Sequence, residues 1–291
     1  MDNRPQTVVH CPLSTVHCPL MKRLSYIYLT LPFILFLFGW VRLTVAIPLA
    51  LILLFALYKL LINNHQSQIN SFFFPLSSST VSWLLLTALW LLLSGIGGYA
   101  FQNWDHNWRN VVLRDLMNFN WPVYYAQPES GPVKMLVYYV GFWLPSALIA
   151  KFTNWQIANF ALFAWSLLGL LLVTHQLASA LKTSNFKATL LLIFFSGLDI
   201  LGTLFFPQEY PTLFPPITHL EAWAGNLQYS SFTTQLFWVF NQAIPAWLCI
   251  ALIVTLSEAK GLLPLMPETL QSQSTLPQRD TRSELILLWS L

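Results

Sequence analysis

The chain has 291 residues, of which 56% are hydrophobic and only 9% are charged, and its mean hydropathy is +0.57. Soluble globular proteins carry about 25% charged residues, so the composition excludes that class and predicts a polytopic membrane protein. The formal net charge of +3 is too small to indicate a nucleic-acid partner. The three cysteines do not indicate a disulfide framework, because one of them lies inside an apolar run.

The amino-terminal segment, residues 1–21, is a polar extension that contains prolines. Its near-repeat, TVVHCPL followed by STVHCPL, holds four residues of metal-ligating type: His10, Cys11, His17 and Cys18. Because the segment has no hydrophobic period, we predict disorder rather than a metal cluster. The transmembrane domain is then expected over residues 22–260, starting at MKRLSYIYLTLPF.

Residues 26–62 are almost continuously apolar, with Gly39 and Arg42 as the main interruptions. One helix needs about 20 residues to cross a bilayer, so this length predicts two helices in a tight hairpin near Arg42. Lys22 and Arg23 precede the run, and by the positive-inside rule they place the amino terminus in the cytoplasm.

A third span is predicted over residues 81–94. The serines and the threonine before it, in SFFFPLSSST, offer an N-cap. Gly95, Gly97 and Gly98 follow it, and glycine accepts the left-handed conformation found just past helix C-termini. The third span therefore ends there, and the chain emerges into a polar loop over about residues 95–134.

This loop contains the densest run of charged side chains, in GIGGYAFQNWDHNWRNVVLRDLMNFNW. Residues 103–118 predict a short helix, with Asp105 as its N-cap or in its first turn. An apolar stripe of Trp104, Trp108, Val111 and Val112 suits the boundary between water and lipid. We therefore expect this helix to lie along the membrane surface.

Residues 135–151 are short for a span and contain Gly141 and Pro145, which weaken a straight helix. Residues 155–178, 188–206 and 237–256 are each long enough to cross. The chain has eleven Lys and Arg residues between 22 and 260. If 135–151 stays on the outer side as an interfacial or re-entrant piece, six of them lie on the cytoplasmic side. If 135–151 crosses the membrane, only four do. The positive-inside rule favours the first arrangement. The predicted fold is thus an all-α integral membrane protein with about six transmembrane helices and interfacial or re-entrant helices in an outer loop.

A second outer loop is predicted over about residues 207–234, rich in proline and aromatic residues and containing His219, Glu221 and Gln228. Asp199 precedes this loop and lies about two helical turns from the outer end of the predicted span 188–206. An acidic side chain at that depth either pairs within the bundle or faces a wet cavity. Two polar loops on one side of an apolar bundle predict a cleft between them.

The carboxy-terminal part, residues 261–291, begins as a polar, proline-containing segment, which predicts a cytoplasmic linker. It ends in SELILLWSL, an apolar run too short to cross. We expect this to be the start of a further span in a truncated chain.

A cytoplasmic amino terminus, many spans and an acidic residue in an outer loop resemble the GT-C type of integral membrane glycosyltransferase. The runs SGIGGYAFQNWDHNWRN and YYVGFWLPSALIAK resemble uncharacterised bacterial membrane proteins associated with that group. The resemblance implies transfer of a sugar from a polyprenyl-phosphate carrier to an envelope acceptor, in the inner (plasma) membrane. The chain departs from the family in having two spans before the acidic loop, where the family usually has one, and in lacking its carboxy-terminal spans.

Under this reading Asp105 is the catalytic base, while Arg109 and Arg114 bind the lipid phosphate with help from Lys134. Aromatic residues of the loop support the sugar or the prenyl chain: Trp104, Trp108, Trp121 and Tyr124. The remaining candidates for substrate binding are Asp115, Asp199, His219, Glu221 and Gln228. The partners are the bilayer and the lipid-linked sugar. No cofactor is predicted, and a divalent metal is left open.

Each of these residues also has a structural interpretation. Asp105 caps the helix or pairs with Arg109 one turn on, and Arg109 and Arg114 anchor the loop to lipid headgroups. Asp115 lies on the aromatic stripe and is expected to have a partner. The alternative functions are a membrane transporter, in which Asp199 lines a path, and a non-catalytic membrane subunit. A transporter often shows internal repeats and broken helices in matching halves, and the sequence contains no repeat of that kind.

Overall fold

The computed structural model describes residues 19–63, 77–125, 133–196, 201 and 230–259. Within them the regular secondary structure is helical apart from one pair of very short strands. The helices are α1 Pro19–Trp40, α2 Leu43–Asn63, α3 Ser78–Leu93, α4 Trp104–Asn118, α5 Leu144–Ala150, α6 Trp155–Ala180, α7 Asn185–Phe194 and α8 Phe232–Ala259. A 3-10 helix over Val140–Trp143 leads into α5, and strands β1 Tyr124–Tyr125 and β2 Lys134–Met135 form an antiparallel pair.

Four of these helices are long and apolar enough to cross a membrane: Leu20–Trp40, Leu43–Ile62, Trp155–Ala180 and Phe232–Ser257. The chain is therefore an all-α membrane protein. The expected total of about six spans stays a prediction. Helix α3 has 16 residues. Helix α7 has 10 residues and ends at Phe194, inside the run 188–206 predicted as the fifth span, because Phe195 is extended and Ser196 has positive φ. The helical part of the ambiguous segment, Val140–Ala150, is also too short to cross alone.

The turn between α1 and α2 and the two ends of α3 lie where the sequence predicts them. Only Val41 and Arg42 separate α1 from α2, which confirms the hairpin. The side chain of Ser77 accepts a hydrogen bond from the amide of Thr80 and caps α3. Gly95, Gly97 and Gly98 all have positive φ, which confirms that glycine ends the third apolar helix.

Helix α6 is the centre of the bundle and packs against α1, α3, α5, α7 and α8. A Cβ at Gly169 would lie 2.4 Å from the Tyr28 hydroxyl and 2.5 Å from Ile244 Cγ2, so only glycine lets the three helices approach this closely. The indole of Trp83 donates to Thr174 over 3.0 Å. This bond ties α3 to α6 inside the apolar bundle.

Helix α4 lies outside the four long helices and packs on α5. Asn103 caps it by accepting a hydrogen bond from the amide of Asp105. The other end of the same side chain donates to the carbonyl of Phe237 over 2.8 Å, next to the kink at Val239 in α8. One asparagine therefore both starts α4 and fastens it to α8.

Candidate functional site

A pocket of about 390 Å³ lies between α4 and the chain around the two strands. Helix α4 provides one wall, and Tyr125 of β1 with the segment after β2 provides the other. The amide of Leu136 donates to the carbonyl of Val123 and holds the second wall in place. The lining residues are Asp105, Trp108, Arg109, Val111, Val112, Asp115, Tyr125, Leu136, Val137 and Tyr138.

Arg109 is the most buried charge in this pocket, with only 5% of its side chain exposed. Its Nη2 donates to Asp105 Oδ2 over 3.0 Å, and its guanidinium carbon lies 5.3 Å from the ring centre of Phe240. Within the described residues its Nε and Nη1 have no hydrogen-bond partner. A buried guanidinium with unpartnered donors is costly, and its fork of N–H groups has the geometry that suits an anion.

Burial lowers the pKa of Arg109. The carboxylate of Asp105, and then the phenol of Tyr138 through its charge and a hydrogen bond, oppose this shift. The Tyr138 contact falls short of a well-aligned hydrogen bond to Nε or Nη1. A guanidinium nevertheless stays charged in proteins. Arg109 is the sole cation among the described lining residues, so an anion that enters the pocket meets its positive charge there.

His106 lies behind Arg109 and is almost fully buried. Burial, and then the charge of Arg109, lower the pKa of His106 to about 4, so the imidazole is neutral at physiological pH. Its ring stacks on Phe240 with centres 5.8 Å apart. The neutral ring packs beside the guanidinium without adding a second positive charge.

Asp115 occupies the other end of the pocket. The hydroxyl of Tyr125 donates a short hydrogen bond to Asp115 Oδ2. Burial, and then this hydrogen bond, raise the pKa of Tyr125 to about 12, so the phenol keeps its proton. The expectation that Asp115 has a partner is confirmed.

The structure thus brings three of the predicted site residues together: Asp105, Arg109 and Asp115. Two others do not line the pocket. Arg114 is exposed and lies over the ring of Trp155 at 4.9 Å, and Lys134 is exposed on β2. Asp199, His219, Glu221 and Gln228 lie outside the described residues.

Of the four predicted aromatic supports, only Trp108 lines the pocket. The sequence reasoning chose Tyr124, whereas its neighbour Tyr125 faces the pocket, because successive strand residues point to opposite sides. Tyr138 was not among the predicted residues, whereas His106 belongs to the charged and polar run that the sequence marks as the first place to look for function. The strands that orient Tyr125 have only two residues each, so nothing in the local sequence marks which tyrosine points inward.

No group of three or more His, Cys, Asp or Glu side chains that would hold a metal occurs within the part of the chain that the structure describes. The comparisons with family models, with curated proteins and with solved structures give no match. The function is therefore argued from the pocket itself.

Proposed function

We propose that the protein is a membrane glycosyltransferase that moves a sugar from a polyprenyl-phosphate donor to an envelope acceptor, with the pocket between α4 and the strands as its active site. The observation that carries this proposal is the buried guanidinium of Arg109, whose Nε and Nη1 have no partner within the described residues. A carboxylate stands directly beside it.

Arg109 binds the phosphate of the donor. Nε and Nη1 match phosphate oxygens in a two-point fork. Both atoms are buried, so the side chains over them must move aside when the phosphate enters, while Nη2 keeps its contact with Asp105. The guanidinium then faces two anions, the Asp105 carboxylate at Nη2 and the phosphodiester at Nε and Nη1. As the sugar leaves, the charge on the phosphate grows, and a donor already fixed in place stabilises that charge without reorganising.

Asp105 is the general base. Its side chain is 40% exposed, so an acceptor hydroxyl reaches it from outside the pocket. The acceptor oxygen bonds to the anomeric carbon, the bond from that carbon to the phosphate oxygen breaks, and its electron pair leaves with the phosphate. The proton of the acceptor goes to Asp105.

The rim of the pocket suits a lipid-linked donor. Trp108 is 64% exposed and Val137 is 81% exposed, and both line the pocket. Trp104 extends the same apolar face of α4. These side chains hold α4 at the membrane boundary, where a prenyl chain stays in lipid while its phosphate enters the pocket. In this proposal the pocket faces the outer side of the plasma membrane, with the amino terminus in the cytoplasm.

The test is transfer of radiolabelled sugar from polyprenyl phosphate by membranes that carry the protein. Asp105→Asn keeps the shape of the side chain and an oxygen that accepts from Arg109, but it removes the base. We expect a loss of transfer of at least about 100-fold. Arg109→Met is expected to abolish donor binding as well.

Two controls separate function from folding. Asn107→Ala changes an exposed residue of α4, and Lys187→Met removes an exposed positive charge at the start of α7. Both variants should transfer like the parent. Full transfer by a folded Asp105→Asn protein would exclude Asp105 as the base.

A further inference from the structure

The transfer step leaves one end of the pocket unused, the end formed by Asp115 and Tyr125. On α4, Asp115 follows Arg109 by six residues, which is about 9 Å along the helix axis at 1.5 Å per residue. Asp105 lies four residues before Arg109, about 6 Å in the other direction. The pocket therefore has a buried cation between two carboxylates. In the proposed reaction Asp105 is the base and Arg109 binds the phosphate, so Asp115 is left without a role.

The Asp115 end has the chemistry of a hydroxyl-binding site. Tyr125 donates to Oδ2 of Asp115, while Oδ1 accepts no hydrogen bond from the described residues. Because its proton is already directed at Asp115, the phenol oxygen has a lone pair left to accept one. A sugar hydroxyl both donates and accepts, so it fits between the two groups.

Trp108 lies between the two ends on the same face of α4, seven residues before Asp115. Its exposed indole lines the pocket and presents an apolar surface to the carbon–hydrogen face of a sugar ring. The volume of about 390 Å³ is near the lower limit of ligand pockets, which range over about 300–1,000 Å³. This space holds one sugar unit with its phosphate rather than an oligosaccharide.

We infer that Asp115 and Tyr125 select the sugar of the donor, by binding a hydroxyl on the side of the ring remote from the phosphate at Arg109. This inference rests on the proposed function, because it assumes that the pocket takes a sugar phosphate. A site that hydrogen-bonds a substrate hydroxyl discriminates strongly against analogues in which that hydroxyl is missing or misplaced, since its polar groups then lose their partner.

The test measures donor binding without an acceptor, so it does not depend on transfer. The probes are one short prenyl phosphate without sugar and the same phosphate carrying glucose, galactose, mannose, N-acetylglucosamine or arabinose. Dissociation constants are measured with the full chain in lipid nanodiscs, using quenching of tryptophan fluorescence. The parent protein should bind one sugar at least about tenfold more tightly than the others.

Asp115→Asn and Tyr125→Phe should bring all the sugars within roughly threefold of one another and leave the affinity for the sugar-free phosphate unchanged. Tyr125→Phe keeps the ring against Phe119, 6.1 Å away, so it controls for packing. Arg109→Met should weaken every probe alike.

Each outcome decides the inference. Equal affinity of the parent protein for all the sugar phosphates overturns it. It is also overturned if Asp115→Asn lowers the affinity for the sugar-free phosphate as much as that for the preferred sugar phosphate, because such an effect is structural. Sugar preference that disappears in both variants supports it. If that result is obtained and no transfer occurs to any acceptor, the sugar-selecting role stands and the proposed reaction fails.

Discussion

The two side chains of the ion pair between Asp105 and Arg109 differ strongly in their exposure to solvent. This difference allows a stability measurement to test whether Arg109 has a functional or a structural role. The side chain of Arg109 is 5% exposed, whereas that of Asp105 is 40% exposed. Asp105→Ala removes the partner of a buried charge, while Arg109→Met removes the buried charge itself. Methionine also keeps an apolar stem near the ring of Phe240. The two variants should therefore differ in stability although they break the same contact.

Removing one partner of a buried ion pair costs about 3–5 kcal/mol. The pocket is open to water on one side, so we expect the lower value, about 3 kcal/mol, for Asp105→Ala. Arg109→Met leaves a carboxylate that water can reach, so its change should stay within about 1 kcal/mol. At about 2–4 °C per kcal/mol for a chain of this size, the melting temperatures should fall by about 6–12 °C and by at most about 4 °C.

Thermal unfolding in lipid nanodiscs, followed by tryptophan fluorescence, measures both values. The double variant should melt close to Arg109→Met, because no buried charge is left without a partner. Asn107→Ala provides the baseline for a neutral change on α4. If Arg109→Met destabilises the protein as much as Asp105→Ala, the guanidinium is a structural tie and the argument for a binding role fails.

Three further predictions concern the scaffold. Gly169→Ala forces a methyl group into α1 and α8 and should cost about 1–3 kcal/mol, whereas Gly141→Ala meets its nearest neighbour at 4.0 Å and should be nearly neutral in the same melting assay. Gly95→Ala combines the strain of positive φ with a contact of 2.5 Å between the new methyl group and a backbone oxygen, whereas Gly98→Ala has the strain alone. Gly95→Ala should therefore lower the melting temperature more than Gly98→Ala. Equal decreases in melting temperature would refute the contribution of the steric contact. His106 has a folded pKa of about 4, below the ordinary value of 6.5, so its contribution to stability is complete above pH 6.5 and is lost as the pH falls toward 4. The difference corresponds to about 3 kcal/mol, and His106→Phe should flatten this part of the stability profile; an unchanged profile would contradict the assignment.

Much of the helical framework was readable from the sequence, because breaks in an apolar run have local causes. Arg42 interrupts the first run, and the hairpin turns there. The glycines from Gly95 to Gly98 accept positive φ, and the third helix stops at them. Helix α4 was predicted over residues 103–118 and spans Trp104–Asn118, with Asp105 in its first turn.

The cap and the buried face of α4 depended on tertiary contacts that no local pattern shows. Asn103, rather than Asp105, is the N-cap, and it is fixed there by its second bond to α8. Of the predicted apolar stripe, Val112 is buried while Trp104, Trp108 and Val111 are exposed.

The role of Arg109 was anticipated only in part. Its charge and spacing indicated a pair with Asp105 or an anion site, and the structure contains the pair. The guanidinium lies over the ring of Phe240, which is distant in sequence and lies just past the kink in α8. Tyr125 and Tyr138 reach the same pocket through the strand pair, and short strands of two residues leave almost no signal in a sequence.

Direct photolabelling tests most closely whether a lipid phosphate binds at Arg109. A prenyl phosphate that carries a diazirine near its phosphate is added to the full chain in nanodiscs, irradiated, and mapped by peptide mass spectrometry. We expect labels on α4 around Trp108 and on residues 136–138. Unlabelled prenyl phosphate should compete these labels away, and they should be absent in Arg109→Met. Labels confined to the lipid-facing sides of α2 and α6, and unchanged in Arg109→Met, would contradict binding at Arg109.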